Sequence, residues 1–240
     1  MGLSVVIPIA EGDEAWKVCL PDLRSLSADD EVIISSSANL KDEFFKLAAE
    51  FDLQCTCHWA PSQLGRAKQL NTGARWAKND FLWFLHCDSR LHGDSRLLGD
   101  VINLLKEAIA VDPRAIHFFD LKFLADGPPF MRANTYGVWF RSRILRLPFG
   151  DQGFCLHRET LRYLGGFCEK ASYGEDHLLI WRAHQEGVKL RAVGASLYTS
   201  ARRYRSFGWV KTTMRHLFLT FKQAIPEFFR LLRSRMRGVS

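Results

Sequence analysis

The sequence predicts an α/β fold on a mainly parallel, doubly wound sheet, and three observations carry that prediction. Short β-branched runs alternate with longer segments of helical periodicity through the first half of the chain, the pattern of successive βαβ units. At 240 residues and 47% hydrophobic content the chain can bury a continuous core. No internal repeat, low-complexity stretch or long linker demands a second globular unit.

Val5-Val6-Ile7-Pro8-Ile9 reads as the first strand and residues 13–26 as a helix. Glu31-Val32-Ile33-Ile34 is the second strand, residues 41–51 the second helix and residues 53–58 the third strand. Gly65 opens a helix running to about residue 77, and Phe81-Leu82-Trp83-Phe84-Leu85 is a strongly apolar fourth strand. Residues 97–110 carry helical spacing, and residues 115–123 form a strand that leads into the Gly127-Pro128-Pro129 break. The second half is less regular. Residues 139–147, 159–164 and 175–186 read as helical, with strand-like pieces at 153–156 and 189–193.

Composition narrows the function classes. The opening residues have no basic segment, and their apolar run stops at Glu11, too short for a secretory or membrane-spanning segment. Six cysteines scattered through apolar segments, with no CxxC pair, read as thiols in a reducing compartment, and the chain is expected to be cytoplasmic. Residues 201–240 hold ten Lys and Arg against the single acid Glu227, so the net charge of +7 belongs to the tail and the first 200 residues are slightly acidic. A nucleic-acid-binding fold is therefore not expected.

In sheets of this kind ligands bind beyond the carboxyl ends of the strands. Three such ends are polar: Ile9-Ala10-Glu11, Ser35-Ser36-Ser37 and His86-Cys87-Asp88. His86 and Asp88, two apart, can converge on one divalent ion if the strand persists; equally, Asp88 caps a turn and His86 packs in the core. Arg66 and Lys68 stand in the first turn of a helix, which favours anions, although solvated basic residues are common there. Glu175 and Asp176 open another helix, where the dipole keeps a carboxylate ionised; an ordinary N-terminal cap uses the same residues. Gly150-Asp151-Gln152-Gly153 suits either polyol hydrogen bonding or a tight turn.

In order, residues 65–74, 84–91, 150–153, Gly165-Gly166-Phe167, 175–179 and Arg202-Arg203-Tyr204 resemble family-2 glycosyltransferases of the GT-A fold, most closely a small bacterial branch. The likeness spans about residues 3–208. It implies inverting transfer of a sugar from a nucleoside diphosphate to an acceptor hydroxyl. By position, Asp176 is implied as general base with Glu175 in support. Asp88, with His86, is implied to hold a divalent metal, manganese or magnesium. Pro8, Ile9, Glu11, Ser36, Arg66, Asn71, Cys87, Asp88 and Arg203 are implied to bind the nucleotide sugar, and Asp151 and Gln152 to border the acceptor. Two departures stand out: Ser36 occupies a position where many relatives carry an acid, and His86 replaces the first acid of Asp-x-Asp.

Residues 209–240 form a separate basic amphipathic unit, expected as two helices broken at Pro226. Such helices lie on anionic membrane surfaces, which would suit a lipid-linked acceptor on the inner face of a membrane; covering an edge of the domain is the other reading. A sugar-phosphate nucleotidyltransferase and a non-catalytic adaptor on the same fold are the competing functions. The former expects a Gly-rich, Arg-containing loop after the first strand, which Ala10-Glu11-Gly12-Asp13-Glu14 lacks.

Overall fold

The computed structural model describes residues 1–91 and 98–237. Seven strands form one sheet: β1 (Leu3–Ile9), β2 (Glu31–Ser36), β3 (Thr56–Pro61), β4 (Phe81–Phe84), β5 (Ile116–Phe123), β6 (Cys155–His157) and β7 (Leu190–Thr199). Their spatial order is β3-β2-β1-β4-β6-β5-β7. β1 pairs in parallel with β2 and β4, β2 with β3, and β5 with β7, while β6 runs antiparallel between β4 and β5.

Alternation along β1 divides the core in two. Leu3, Val5, Ile7 and Ile9 enter one side with Trp16 of α1 (Trp16–Cys19), Phe44 of α2 (Lys41–Glu50) and Leu105 of α4 (Leu98–Val111). Val6 enters the other with Leu70 of α3 (Arg66–Trp76), Leu161 of α6 (Arg158–Tyr163) and Ile180 of α7 (Glu175–Gln185). Successive strand side chains point to opposite faces, so an apolar strand needs helices on both. Gly73 lets α3 lie flat on β1, because a Cβ there would collide with Val6. All six cysteines are free thiols.

The doubly wound, mainly parallel architecture agrees with the sequence; several boundaries do not. The helix expected over residues 13–26 is only α1 followed by a 3-10 turn at Leu20–Leu23, because Pro21 has no N–H to continue an α-helical ladder. β3 starts at Thr56, since its register against Glu31 to Ser36 of β2 fixes its span, and it ends on Pro61 as an edge strand can. A helix, α5 (Met131–Trp139), begins directly after the proline break, where the Pro128 carbonyl accepts the Met131 N–H at 3.3 Å; it runs into a π-helical turn, Phe140–Ile144. β7 reaches Thr199 rather than 193 because Gly194, at φ +87°, sits in a bulge between the pairs Phe118–Ala192 and Asp120–Ser196.

The expected break at Pro226 is also corrected. After α8 (Arg202–Phe207), α9 (Trp209–Arg237) is one helix with Pro226 inside it. The missing N–H costs one helical hydrogen bond, but the helix is held on both sides of the proline. Gln223 donates to the Tyr173 and Gly174 carbonyls at 3.2 Å, and Gln185 donates to the Glu227 side chain at 3.1 Å. The basic tail is therefore docked on α7 and the loop that precedes it. No described helix is long and apolar enough to cross a membrane.

Candidate active site

A cleft of about 850 Å³ opens at the carboxyl ends of β1 and β4. Its floor includes Pro8, Asp13, Arg66, His86, Asp88 and Asp151; α5, the π-helical turn and the first half of α9 form its far walls. β4 ends at Phe84, and His86-Cys87-Asp88 turn back on themselves, with the Ser89 N–H bonded to the His86 carbonyl at 3.1 Å. The turn, not strand alternation, brings His86 Nδ1 to 3.9 Å from Asp88 Oδ1. Asp88 Oδ2 also accepts from Thr199 Oγ1 at 3.5 Å.

Arg66, the first residue of α3, joins the two sides of this floor. One arm of its guanidinium lies 3.1 Å from Glu175 Oε1 and the other meets His86 Nε2. Guanidinium can only donate, so Nε2 accepts and a neutral His86 carries its proton on Nδ1, towards Asp88. Glu175 and Asp176 are both buried at the start of α7, behind Gly174 in a left-handed conformation.

The carboxylates of this cluster are driven apart in acidity. Burial pushes Asp176 up, but the Arg66 charge, the Gly150 N–H at 2.5 Å and the His86 and His177 contributions outweigh it and hold the group below its usual range. Burial pushes Glu175 up, eased by Arg66 and reinforced by Asp176. Asp151 is pushed up to about 6 by burial, with Arg141 opposing and Asp176 adding to the rise. Its Oδ1 is buried and meets no hydrogen-bond donor among the described residues.

The protein-family model for "Glycosyl transferase family 2" matches residues 4–160, about two thirds of the chain. The chain belongs to glycosyltransferase family 2. Its fold resembles that of a mannosyltransferase from Pyrobaculum calidifontis in complex with GDP-Man and Mn2+, with TM-score 0.68, 16% identity, and 97% of this chain and 68% of that one covered. It also resembles S. aureus TarS 1-349 in complex with UDP-GlcNAc, with TM-score 0.63, 15% identity, and coverage of 83% and 58%. Against another TarS structure the chain spans only 37% of its length. No curated protein sequence matches the chain.

Within this glycosyltransferase fold the residues singled out from the sequence separate into three groups. Pro8, Arg66, His86, Cys87, Asp88 and Asp151 line the cleft. Burial raises the Cys87 thiol, which faces Asp13 Oδ2 at 3.4 Å. Glu175 and Asp176 do not line the cleft themselves; they lie behind it, Glu175 against the cleft-lining Arg66 and Asp176 against the Gly150 N–H.

The second group points elsewhere. Ile9 is core, its carbonyl taken by Gln69 Nε2 at 2.7 Å, and Ser36 is buried with its Oγ accepting the Ala38 N–H. Glu11 is exposed on the turn after β1 and is not part of the cleft wall. Asn71 is on a different face of α3, where it donates to the Phe167 carbonyl and accepts the Phe167 N–H, both at 2.9 Å. Gln152 is fully buried; it donates to the Phe119 carbonyl at 2.8 Å and accepts the Phe149 N–H at 3.2 Å, so its amide braces the turn. Lys68 pairs with Gln63 instead of turning to the floor. In the third group, the Arg203 side chain lies outside the described residues.

Arg141 was not singled out from the sequence. It lies half-buried in the cleft wall with its guanidinium carbon 3.3 Å from the Phe149 ring centre; burial lowers its pKa, opposed by the charges of Asp151 and Asp176. It shares the segment Trp139 to Leu147 with Arg143 and Arg146, so no local signal in the sequence set it apart.

Proposed function

We propose that the chain transfers a sugar, with inversion, from a nucleoside-diphosphate sugar to an acceptor hydroxyl, with Asp176 as general base. One observation carries the reading: Arg66 links the Glu175–Asp176 pair to the His86–Asp88 turn on the floor of a single cleft. In the transfer step the acceptor oxygen bonds to the anomeric carbon from the side opposite the diphosphate. The bond from that carbon to the phosphate oxygen breaks, its electron pair leaves with the nucleoside diphosphate, and the acceptor proton passes to Asp176. Arg66 and the Gly150 N–H keep Asp176 ionised for that task.

A divalent metal fits the donors in one arrangement. Among the described residues no three His, Cys, Asp or Glu side chains gather into a metal cage, whereas manganese and magnesium are commonly held by one or two carboxylates completed by substrate phosphates. Asp88 would be the protein ligand, and the ion would offset charge on the leaving diphosphate. His86, with Nε2 towards Arg66 and a proton on Nδ1, would stand beside the ion rather than ligate it. Pro8 and Cys87 border the space for the nucleotide sugar, and Arg203 belongs to the segment expected to close over the diphosphate.

A second reading gives the proton to Asp151, favoured by its place on the cleft floor and its pKa of about 6. The free thiols and use of a nucleotide sugar favour the cytoplasmic side, and the basic face of α9 favours peripheral contact with the inner membrane surface. A thermal-shift series of nucleoside diphosphates with and without manganese tests the reading. Saturation at a hundred times the dissociation constant should stabilise the fold by about 2.7 kcal/mol, and no stabilisation by any nucleoside diphosphate would overturn it.

A further inference from the structure

α9 carries two faces with different destinations. Thr212, Gln223, Glu227 and Leu231 turn towards the domain and are buried or half-buried. Val210, Met214, Leu217, Phe221, Ile225 and Phe228 follow one another three or four residues apart, and all are exposed. At 100° per residue they form one stripe that continues through Leu232 and Met236. Lys211, Arg215, Lys222 and Arg233 project along a single flank of that stripe.

The stripe does not stop at the protein surface. Leu217 and Phe221 belong to it and also line the cleft. Across the mouth, Phe140 of the π-helical turn and Leu145 just after it are likewise both exposed and cleft-lining. An apolar path therefore runs from the outer face of α9, between these four side chains, to the floor that holds Arg66 and Asp151.

We propose that the acceptor is an amphipathic lipid, its chain lying in this mouth while α9 rests in the plane of an anionic membrane. The assignment rests on the glycosyl-transfer reading and names its acceptor class. A basic flank beside an exposed apolar stripe matches anionic headgroups above acyl chains. A second copy or a globular partner seated on the same stripe would cover the mouth of the cleft, whereas a bilayer brings its own hydroxyl-bearing headgroups to it. The lipid hydroxyl takes the acceptor's place in the step above, losing its proton to Asp176 as its oxygen bonds to the anomeric carbon.

The test uses the full chain, vesicles of equal parts phosphatidylcholine and phosphatidylglycerol, and the same vesicles carrying brominated acyl chains. Wild-type protein should float with these vesicles and not with phosphatidylcholine alone. Phe218→Glu with Phe229→Glu, two exposed rings where the stripe meets its basic flank and outside the cleft wall, should weaken binding by about tenfold or more without changing the oligomeric state. Brominated chains should quench tryptophan fluorescence, and Trp209→Phe, which changes a ring inside the cleft, should remove part of that quenching. Unchanged vesicle binding in the double variant, quenching identical in Trp209→Phe, or a stable dimer that excludes vesicles would each overturn the proposal. Stabilisation by a nucleoside diphosphate with manganese, measured on the same samples, tells the two failures apart: if it persists, only the lipid acceptor falls. If it is absent while vesicles bind, the glycosyl-transfer reading falls and the acceptor assignment with it.

Discussion

The Arg66 guanidinium lies 3.1 Å from the Glu175 carboxylate, joining the first residue of one helix to the first residue of another. Its other arm reaches His86, so one side chain contacts both halves of the cleft floor. Arg66→Ala should lower kcat/KM for nucleotide-sugar turnover by about a hundredfold. Because Arg66 is what chiefly holds Asp176 down, the acid limb of the pH–rate profile should also move to higher pH. A variant with reduced rate and an unmoved limb would show that Arg66 serves binding alone.

Asp176 and Asp151 can be separated by the same kind of profile. If Asp176 is the base, wild-type activity stays level as pH falls through 6 and drops only below the ordinary carboxylate range, and Asp176→Asn loses about a thousandfold. Asp151→Asn would then retain most activity. An acid limb near 6 that disappears in Asp151→Asn would assign the proton to Asp151, whose pKa is pushed up to about 6.

Asp88 is expected to matter only when metal is present. Asp88→Ala should abolish the additional thermal stabilisation that manganese gives a bound nucleoside diphosphate, while leaving the melting temperature of the unliganded protein within a degree or two. Unaltered metal-dependent turnover in this variant would remove the metal from Asp88.

The docking of α9 sets the loop before Glu175. A Cβ at Gly174, which has φ +64°, would collide with Gln223, so Gly174→Ala combines backbone strain with a clash and should destabilise by about 2 kcal/mol in urea unfolding. Gln223→Ala should spare the fold more than it spares turnover, because it frees the Tyr173 and Gly174 carbonyls that fix the start of α7.

Acid should unfold the protein partly through Asp30. Burial raises its pKa, but Lys106 at 2.9 Å, the Ser27 and Leu3 N–H groups and the Ser27 hydroxyl prevail and hold it low. A carboxylate more acidic in the folded than in the unfolded chain adds stability that is full above its unfolded value and fades as pH falls through the folded one. Asp30→Asn should therefore cost about 3 kcal/mol at neutral pH and progressively less in acid, as pH-dependent denaturation would show.

Much of the architecture was determined locally. Apolar runs such as Phe81 to Phe84, interleaved with helical periodicity, specify strands that must be covered twice. Residues 4–160 carry the family. Helix beginnings at Gly65 and Gly174 were equally legible, since glycine at the start and charge in the first turn are chain-local features.

Tertiary structure decided what those residues face. Asn71 and Arg66 share α3, yet its rotation sends Asn71 to Phe167 and Arg66 to the cleft. Gln152 and Asp151 are neighbours, yet one amide is consumed by Phe119 and Phe149 while the other side chain stays on the cleft floor. The continuation of α9 through Pro226 likewise rests on Gln223 and Gln185, contacts distant in sequence. Periodicity and propensity act over a few residues; orientation, pairing and acidity are set by whichever groups packing brings within a few ångströms, and those come from remote parts of the chain.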